Sequence, residues 1–402
     1  MTTKPHLVAF LPWLRLKNEQ TIAGIQFVSL RDGEGVLHRL LTDAGAALES
    51  IVSSYVDLKG DPVPTCTVAT VPGCGWDLAG DDVETVQWAA TLLFLGAWAA
   101  NAYFPKFFGP YVNSSYFRPV FQRFSDATWI AIGSRRLDGE TLDGGYKHGE
   151  IRFSRPVQCS PNSAGVVDEA FLKGLDAATK AKSPTMQRLA TALPFVSLSN
   201  TDDDLMSWKA EAVLMASAFE QLFNADASKQ KLKEGLGDVL AAHGSATTEE
   251  ALHVREHIRL DAEWADEQRK GWVHRIWIAE FYDLRSKAAH KGTPEMRKWG
   301  WTPREHLLMA AWVFPLAVKL LLEREGHYSL TLKDRGRCRS IDKLLATADW
   351  GAQSELPGNA EHTWDVVVRR SEHDLWFAGV VKKLEDIRRD KAPVSSDETG
   401  ID

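Results

Sequence analysis

The stretch TDDDLMSWKAEAVLMASAFEQLF, residues 201–223, decides the fold class of the C-terminal half. Apolar residues recur in it at spacings of four, three, four and three: Trp208, Ala212, Met215, Phe219 and Leu222. In an α-helix these positions share one face, and the polar residues between them lie on the other. The Thr-Asp run at its start predicts the N-terminal cap. The stretch therefore predicts an amphipathic helix that buries one face.

Helical patterns continue on the C-terminal side of this stretch. KQKLKEGLGDVLAAH follows it, and a long helical pattern runs from about 247 to 290 with Gly271 and Gly292 as breaks. Pro303 then begins REHLLMAAWVFPLAVKLLLERE, which ends at Gly326. Short connections between such helices favour an antiparallel bundle.

The N-terminal side has a different sequence pattern. GIQFVSL and CTVATV are short apolar runs bounded by turn signals, and both predict strands. The segment ATWIAIGSRRLDGETLDGGYKHGEIRFSRPVQ predicts further strands joined by Asp-Gly and Gly-Gly turns. Asp81 or Asp82 is expected to cap an apolar helix that reaches about residue 104.

These patterns predict an α+β protein with four parts. Residues 1–190 form a mixed α/β domain of unknown role, for which sensing or regulation is considered, and residues 200–326 form an all-α helical bundle. Residues 327–390 form a helical extension that includes IDKLLATADW and HTWDVVVRR, and residues 391–402 form a disordered tail.

Composition narrows the function classes. The formal charge is −7, so nucleic acid would have to bind at a local positive site on an acidic molecule. The four cysteines, Cys66, Cys74, Cys159 and Cys338, lack metal-ligand spacing, and they predict a reducing cytoplasm. WAATLLFLGAWAA and LLMAAWVFPLAV are shorter than the roughly 20 residues that cross a bilayer, so both predict buried core helices and no membrane partner. The N-terminus does not have the pattern of a secretory signal.

The stretch EFYDLRSKAAHKG, residues 280–292, contains the strongest candidates for catalytic residues. Arg285 is followed five residues later by His290, where a helical pattern with aromatic residues runs out into glycine. The bare pattern, an arginine and then a histidine after four to six intervening residues, is weak, because Arg31 with His38 and Arg269 with His274 also match it. Context separates the three matches, since only the one at Arg285 has the aromatic lead-in and the glycine exit.

FYDLRSKAAHKG, together with ASAFEQLF upstream, resembles the HEPN superfamily, especially its Apea-like members. The resemblance covers residues 200–326 and implies a helical bundle with an Arg-x4-6-His motif and an early acidic residue. It implies that Arg285 and His290 are the motif arginine and histidine, that Glu220 is the early acid, and that Ser286 is the polar position between them. It does not cover the N-terminal half.

The resemblance implies a metal-independent endoribonuclease in which the ribose 2′-hydroxyl attacks the adjacent phosphate, with no cofactor. The residue types suit that chemistry, because histidine exchanges protons near neutral pH and arginine holds a permanent charge on phosphate oxygens. Lys287, Lys291 and Tyr282 are the expected RNA contacts. The family also implies a homodimer through the bundle, a role in bacterial antiphage defence, and an antitoxin or phage-derived trigger as a further partner.

Helical geometry bears on how Arg285 and His290 meet. Five residues of helix turn through about 500°, which leaves the two residues about 140° apart around the axis. A frayed helix end or a second chain would have to bring them together. The alternative interpretation is a helix end whose Arg and His only satisfy carbonyl groups and the helix dipole.

Other motifs give competing hypotheses. A non-catalytic HEPN-type scaffold that binds RNA or protein is one. His253 and His257 of HVREH are spaced like zinc ligands on one helix face and suggest a zinc hydrolase, with Glu323 or Glu325 as the third ligand.

Two more motifs have bland interpretations. VPGCGWDLAGDD, residues 71–82, lacks the glycine and lysine positions of phosphate loops and is interpreted as a turn and a helix cap. In LKDRGRCRS, basic residues alternate at Lys333, Arg335, Arg337 and Arg339. An extended strand would aim all four at a nucleic-acid backbone, but a solvated surface loop is favoured slightly.

Overall fold

The structure is a computed structural model of the 402-residue chain. It describes residues 6–31, 51–57, 59–63, 65–71, 77–80, 82–100, 112–124, 129–135, 141–147, 152–154, 164–201, 206–243, 273–290, 300–346 and 363–390.

An antiparallel sheet of five strands occupies the N-terminal part, in the spatial order β3-β4-β6-β1-β7. Three short two-stranded ribbons accompany it: β5 with β10, β2 with β11, and β8 with β9. The strands are β1 (His6–Leu11), β2 (Arg15–Leu16), β3 (Gln20–Ile22), β4 (Ile25–Arg31), β5 (Tyr55–Val56), β6 (Thr65–Thr70), β7 (Val120–Phe124), β8 (Trp129–Arg135), β9 (Thr141–Lys147), β10 (Phe153–Ser154) and β11 (Ala164–Gly165).

The inner strand β1, which lies between β6 and β7, is buried on both faces because both sides of the sheet are covered. Ala9 and Leu11 point into the main hydrophobic core, whereas Val8 and Phe10 point into a smaller cluster with Tyr55. The sheet is therefore sandwiched, and its main-core face meets the helices.

The described part of the chain has nine α-helices with defined bounds and a short 3-10 helix, Ser114–Phe117. The α-helices are α1 (Asp82–Ala100), α2 (Glu169–Lys180), α3 (Pro184–Ser199), α4 (Trp208–Phe223), α5 (Lys229–Leu240), α6 (Val273–His290), α7 (Pro303–Arg324), α8 (Leu332–Ala346) and α9 (Thr363–Asp390). Helix α4 packs against α3, α5, α6 and α7. The main core runs without a break from the sheet through α1 to these helices.

The predicted apolar face of α4 is confirmed for Ala212, Met215, Phe219 and Leu222, which are all at most 1% exposed. Trp208, the first residue of that face, is partly buried and packs against the same core. The predicted cap is wrong: α4 begins at Trp208, and Ser207 accepts the capping hydrogen bond from the amide of Ala210. Ser207 stands directly before the first apolar position of the face, so it is the residue that can reach the free amides of the first turn.

The helix α7 is the one described helix that is long and apolar enough to cross a membrane. However, 83% of the most apolar 18-residue stretch of this helix is buried inside the fold. Both apolar segments, in α1 and α7, are core helices, as the sequence predicted.

The predicted α+β class is confirmed, with the antiparallel sheet in the N-terminal part and helices in the C-terminal part. The boundaries between domains remain predictions, as does the disordered tail, which lies outside the described residues. Two of the predicted strands correspond to β4 and β6, and β8 and β9 form a further antiparallel pair. The predicted Gly-Gly turn is wrong, because Gly144 and Gly145 lie inside β9 and pair with β8. Asp138 and Gly139 lie outside the described residues.

The extended or looped form considered for the basic run is wrong. Residues 333–339 lie inside α8, and Arg337 is buried and donates to the carbonyl of Ala99 at 3.1 Å. Gly336 allows this helix to approach α9, because a Cβ there would meet Glu372 at 2.5 Å. Alternate basic residues therefore point to different sides of a packed helix.

Candidate functional site

The helices α4 and α6 bring Glu220 and Arg285 together across 65 residues of sequence. Nη2 of Arg285 lies 3.4 Å from Oε2 of Glu220. Both residues belong to helices whose other faces enter the core, through Phe219 on α4 and Phe281 and Leu284 on α6. The 3.6-residue period therefore leaves Glu220 and Arg285 beside those buried faces, at the edge of the helix pair.

The contact between the two charges is a weak one for an ion pair. A charge-assisted hydrogen bond is ordinarily about 2.7–2.9 Å long, and a well-formed arginine–carboxylate pair has two of them. Here a single contact of 3.4 Å joins the groups, and the Arg285 side chain is 23% exposed while that of Glu220 is 8% exposed. Arg285 is thus held on one side and open on another.

Polar atoms of both groups lack partners within the part of the chain that the structure describes. Nε of Arg285 and Oε1 of Glu220 are buried there with no hydrogen-bond partner. Buried polar atoms are almost always satisfied in proteins. Oε2 of Glu325 and Nε1 of Trp98 are likewise buried without a partner among the described residues, so these atoms support the site only together with the long contact and the exposure of Arg285.

Burial raises the pKa of Glu220, and the charge of Arg285 acts in the opposite direction without cancelling the effect. Desolvation disfavours the carboxylate because it removes water from the charged form. A second, stronger cation contact would lower that pKa again. The carboxyl is therefore sensitive to what else binds at Arg285.

Tyr282 supports the pair from one turn earlier in α6. Its ring centroid lies 5.6 Å from the Arg285 guanidinium carbon, and its hydroxyl donates to the carbonyl of Ala227. Ala227 belongs to the turn after α4, where Asn224, Asp226 and Ala227 all adopt positive φ angles of 45–56°. That conformation is uncommon for residues other than glycine, so Tyr282 ties a strained turn to the site.

The remaining predicted site residues lie along the end of α6. Ser286 and Lys287 are half-buried on the last two turns, and His290 is the last residue of the helix. At 1.5 Å per residue, His290 stands about 7.5 Å along the axis from Arg285 and about 140° around it. Lys291 lies outside the described residues, as do Arg269 and both histidines of the zinc hypothesis, His253 and His257.

The other proposed chemical groups have structural partners. Glu323 lies 2.9 Å from His243, and Glu325 accepts hydrogen bonds from the amide and hydroxyl of Thr185. His274 pairs with Asp342 at 2.9 Å. Across the described ranges, no group of three or more His, Cys, Asp or Glu side chains has the arrangement of a metal site. In the glycine loop, Asp82 accepts from the amide of Ala79 and begins α1.

Sequence reasoning missed a buried charge cluster around Lys319 in α7. Its ammonium lies 2.6 Å from Asp168 and 2.6 Å from Asp334. Asp334 also accepts hydrogen bonds from Tyr328 and Thr331. The available signal was a lysine inside the apolar run LAVKLLL, which requires a buried anionic partner.

Comparisons of the chain with protein-family models, with curated proteins and with solved structures find no match.

Proposed function

We propose that the chain is a metal-independent endoribonuclease with Glu220, Arg285 and His290 at its site. The observation that carries this is the geometry of Arg285, a cation held by one long contact to a buried carboxylate with a donor left unpaired within the described residues. The resemblance of residues 200–326 to HEPN ribonucleases points to Glu220 and Arg285 and adds His290. RNA is the substrate class, because its backbone phosphates match the spare donors of the guanidinium.

Each residue type has a defined part in the reaction. The ribose 2′-oxygen forms a bond to the adjacent phosphorus, and the bond from phosphorus to the 5′-oxygen breaks, leaving a 2′,3′-cyclic phosphate. Arg285 offsets the negative charge that builds up on the non-bridging oxygens. His290 exchanges the proton that leaves the 2′-hydroxyl or the one that the 5′-oxygen acquires. Glu220 and Tyr282 hold the guanidinium in place.

A second copy of the chain is part of the proposal. About 140° of helical rotation separates Arg285 from His290, so one helix does not present them to a single phosphate without fraying. A homodimer through residues 200–326 would place two copies of the motif around one groove. Lys287, Lys291 and the ring of Tyr282 would then contact the RNA on either side.

The cellular setting belongs to the proposal as well. Cysteine usage suits a cytoplasmic protein, and the family resemblance suggests an effector of antiphage defence controlled by an antitoxin or a phage-derived trigger. Residues 1–190 would supply the sensing or restraining part.

The test is cleavage of labelled RNA by the purified full chain in excess EDTA. Wild type is expected to cleave and to leave cyclic phosphate ends, whereas Arg285→Ala and His290→Ala are expected to lose at least about 100-fold in rate. Toxicity on expression provides a second readout if a trigger is required. Activity that EDTA abolishes would contradict the proposal and favour the zinc hydrolase. RNA binding without cleavage or toxicity would favour the non-catalytic scaffold.

A further inference from the structure

The exposed apolar surface of the described residues is concentrated on one helix. Among all the described residues, ten large hydrophobic side chains are exposed, and seven of the ten belong to α9. The seven are Val366, Trp376, Phe377, Val380, Val381, Leu384 and Ile387. Their concentration is informative because single exposed hydrophobic residues are ordinary, whereas a contiguous set marks an interaction site.

All seven residues fall on one side of α9. At 100° per residue they occupy an arc of about 140°. The rest of the helix surface carries Trp364, Val367, Val368 and Leu375 in its N-terminal part, and only polar and small residues beyond Leu375. Within the arc, Phe377, Val380, Leu384 and Ile387 are spaced by three, four and three residues. That spacing is the seam of a coiled coil, in which two helices pack side by side.

This apolar seam is not a continuation of the face that packs on the body of the protein. The N-terminal part of α9 is buried through Trp364, which stacks edge-on against Trp312 at 4.8 Å, and through Ser371. Those two positions lie roughly opposite the centre of the seam by helical geometry. The seam therefore faces away from the core that anchors the helix.

The distal part of α9 needs a partner to be stable as a helix. Residues 376–387 are exposed at every position, and Gly379 lies in their middle. An isolated helix of about a dozen residues is marginal in water, and an interior glycine costs it a further ~1 kcal/mol. Burial of the seam would provide the missing stabilisation.

The seam fits a second copy of this chain. It presents on the order of 600 Å² of apolar surface, the upper end of what a typical monomer exposes. Two copies would bury about 1,200 Å², which reaches the range of specific stable interfaces. A seam with a three-four repeat is complementary to itself across a two-fold axis, so each copy fills the holes of the other.

Other occupants fit the seam less well. The helix as a whole carries six Lys or Arg residues and six Asp or Glu residues, whereas helices that lie on anionic membranes are strongly basic on their polar side. The segment KAPVSSDETGID, residues 391–402, has only Val394 and Ile401 as large apolar residues and cannot cover seven.

We propose that α9 pairs with α9 of a second copy through this seam. The interface lies outside residues 200–326 and does not rest on the proposed ribonuclease activity. The association therefore depends on α9 and is expected whether or not residues 200–326 cleave RNA.

Size-exclusion chromatography with light scattering on the full chain tests the proposal. Wild type is expected to have at least twice the 44.7 kDa chain mass. Phe377→Glu with Leu384→Glu is expected to halve the mass of the assembly, since both carboxylates would be buried in the seam. The matched control, Lys382→Glu, changes the charge by the same amount on the opposite face and is expected to keep the wild-type mass.

Three results would overturn the proposal. One is a monomeric wild type at micromolar concentration. That result would also be seen if another segment of the same chain covered the seam. A second is an unchanged mass in the double variant, with circular dichroism showing that it remains folded. The third is a wild-type monomer that floats with vesicles of phosphatidylcholine and phosphatidylserine, which would assign the seam to a membrane.

Discussion

Two charge sites in this molecule use the same residue types in opposite ways. At Lys319 the ammonium makes two contacts of 2.6 Å and is 3% exposed. At Arg285 the guanidinium makes one contact of 3.4 Å and is 23% exposed. The first site links α2, α7 and α8, whereas the second joins α4 to α6 at their edge.

Under the proposed function, the difference separates a structural role for Lys319 from a chemical role for Arg285. Every short contact around Lys319 is made within the fold, so no donor is directed at a ligand. The Glu220–Arg285 pair instead leaves two buried polar atoms unsatisfied among the described residues. A fold that retains such a pair gives up stability there, and functional sites are where proteins most often do so.

The largest expected effect is a loss of unfolding free energy when the cation of the Lys319 cluster is removed. Lys319→Met would leave Asp168 and Asp334 without their cation, and breaking a buried pair costs about 3–5 kcal/mol of unfolding free energy. Urea unfolding measures this loss. The control is Lys180→Met, which removes an exposed contact to Asp176 and is expected to cost at most about 0.5 kcal/mol. Equal losses in the two variants would remove the distinction.

At the open site the same kind of change should cost far less stability. Arg285→Met removes one long, partly exposed contact, so we expect a loss of at most about 1 kcal/mol in urea unfolding. A loss as large as that of Lys319→Met would mean that Arg285 is a structural residue. The comparison between the two sites would then fail.

The two carboxylates should respond to pH with opposite signs. Burial raises the pKa of Asp334, but Lys319 and the hydrogen bonds from Thr331 and Tyr328 outweigh burial and lower it. Asp334 therefore contributes stability above the ordinary aspartate pKa, and this is lost as pH falls through the lowered folded value. Burial raises the pKa of Glu220, so its contribution is present below the ordinary glutamate pKa and is lost as pH rises through the raised folded value.

Thermal unfolding between about pH 3 and pH 8 measures both signs. The Tm advantage of wild type over Asp334→Asn should grow as pH rises. Relative to Glu220→Gln, the Tm of wild type should fall as pH rises. Parallel trends for the two variants would show that Glu220 is a well-satisfied carboxylate like Asp334.

The smallest expected effect concerns Tyr282. Tyr282→Phe keeps the ring near Arg285 and loses only the hydrogen bond to Ala227, which is worth about 1 kcal/mol or less. RNA cleavage should stay within about twofold of wild type, since the ring still supports the guanidinium. Tyr282→Leu removes the ring and should lower the rate further. Equal cleavage rates for Tyr282→Phe and Tyr282→Leu would show that the ring does not support Arg285 and that Tyr282 serves only the turn after α4.

Local periodicity explains what the sequence could predict. The buried face of α4 follows from a 3.6-residue period, and β4 and β6 follow from short apolar runs between turn signals. The basic run at 333–339 misled because alternation alone does not distinguish a strand from a helix whose sides meet different neighbours. There, packing against Ala99 and α9 decided the structure.

Contacts between distant residues explain what the sequence could not predict. Asp168 is 151 residues from Lys319, and no local pattern joins them. Glu220 and Arg285 are 65 residues apart and were paired only through the family resemblance. The length of their contact and the two orphaned atoms emerge only from the packing of α4 on α6.

The most direct test of the central claim compares two arginines of α6 in single-turnover RNA cleavage with EDTA present. Both arginines lie on α6 and make one long contact, but Arg285 meets the buried Glu220, whereas Arg275 lies 3.8 Å from Asp238 of α5, whose side chain is 67% exposed. The account predicts that Arg285→Ala lowers the rate at least about 100-fold and that Arg275→Ala leaves it within about threefold of wild type. Equal rates for the two variants, with both proteins folded, would contradict it.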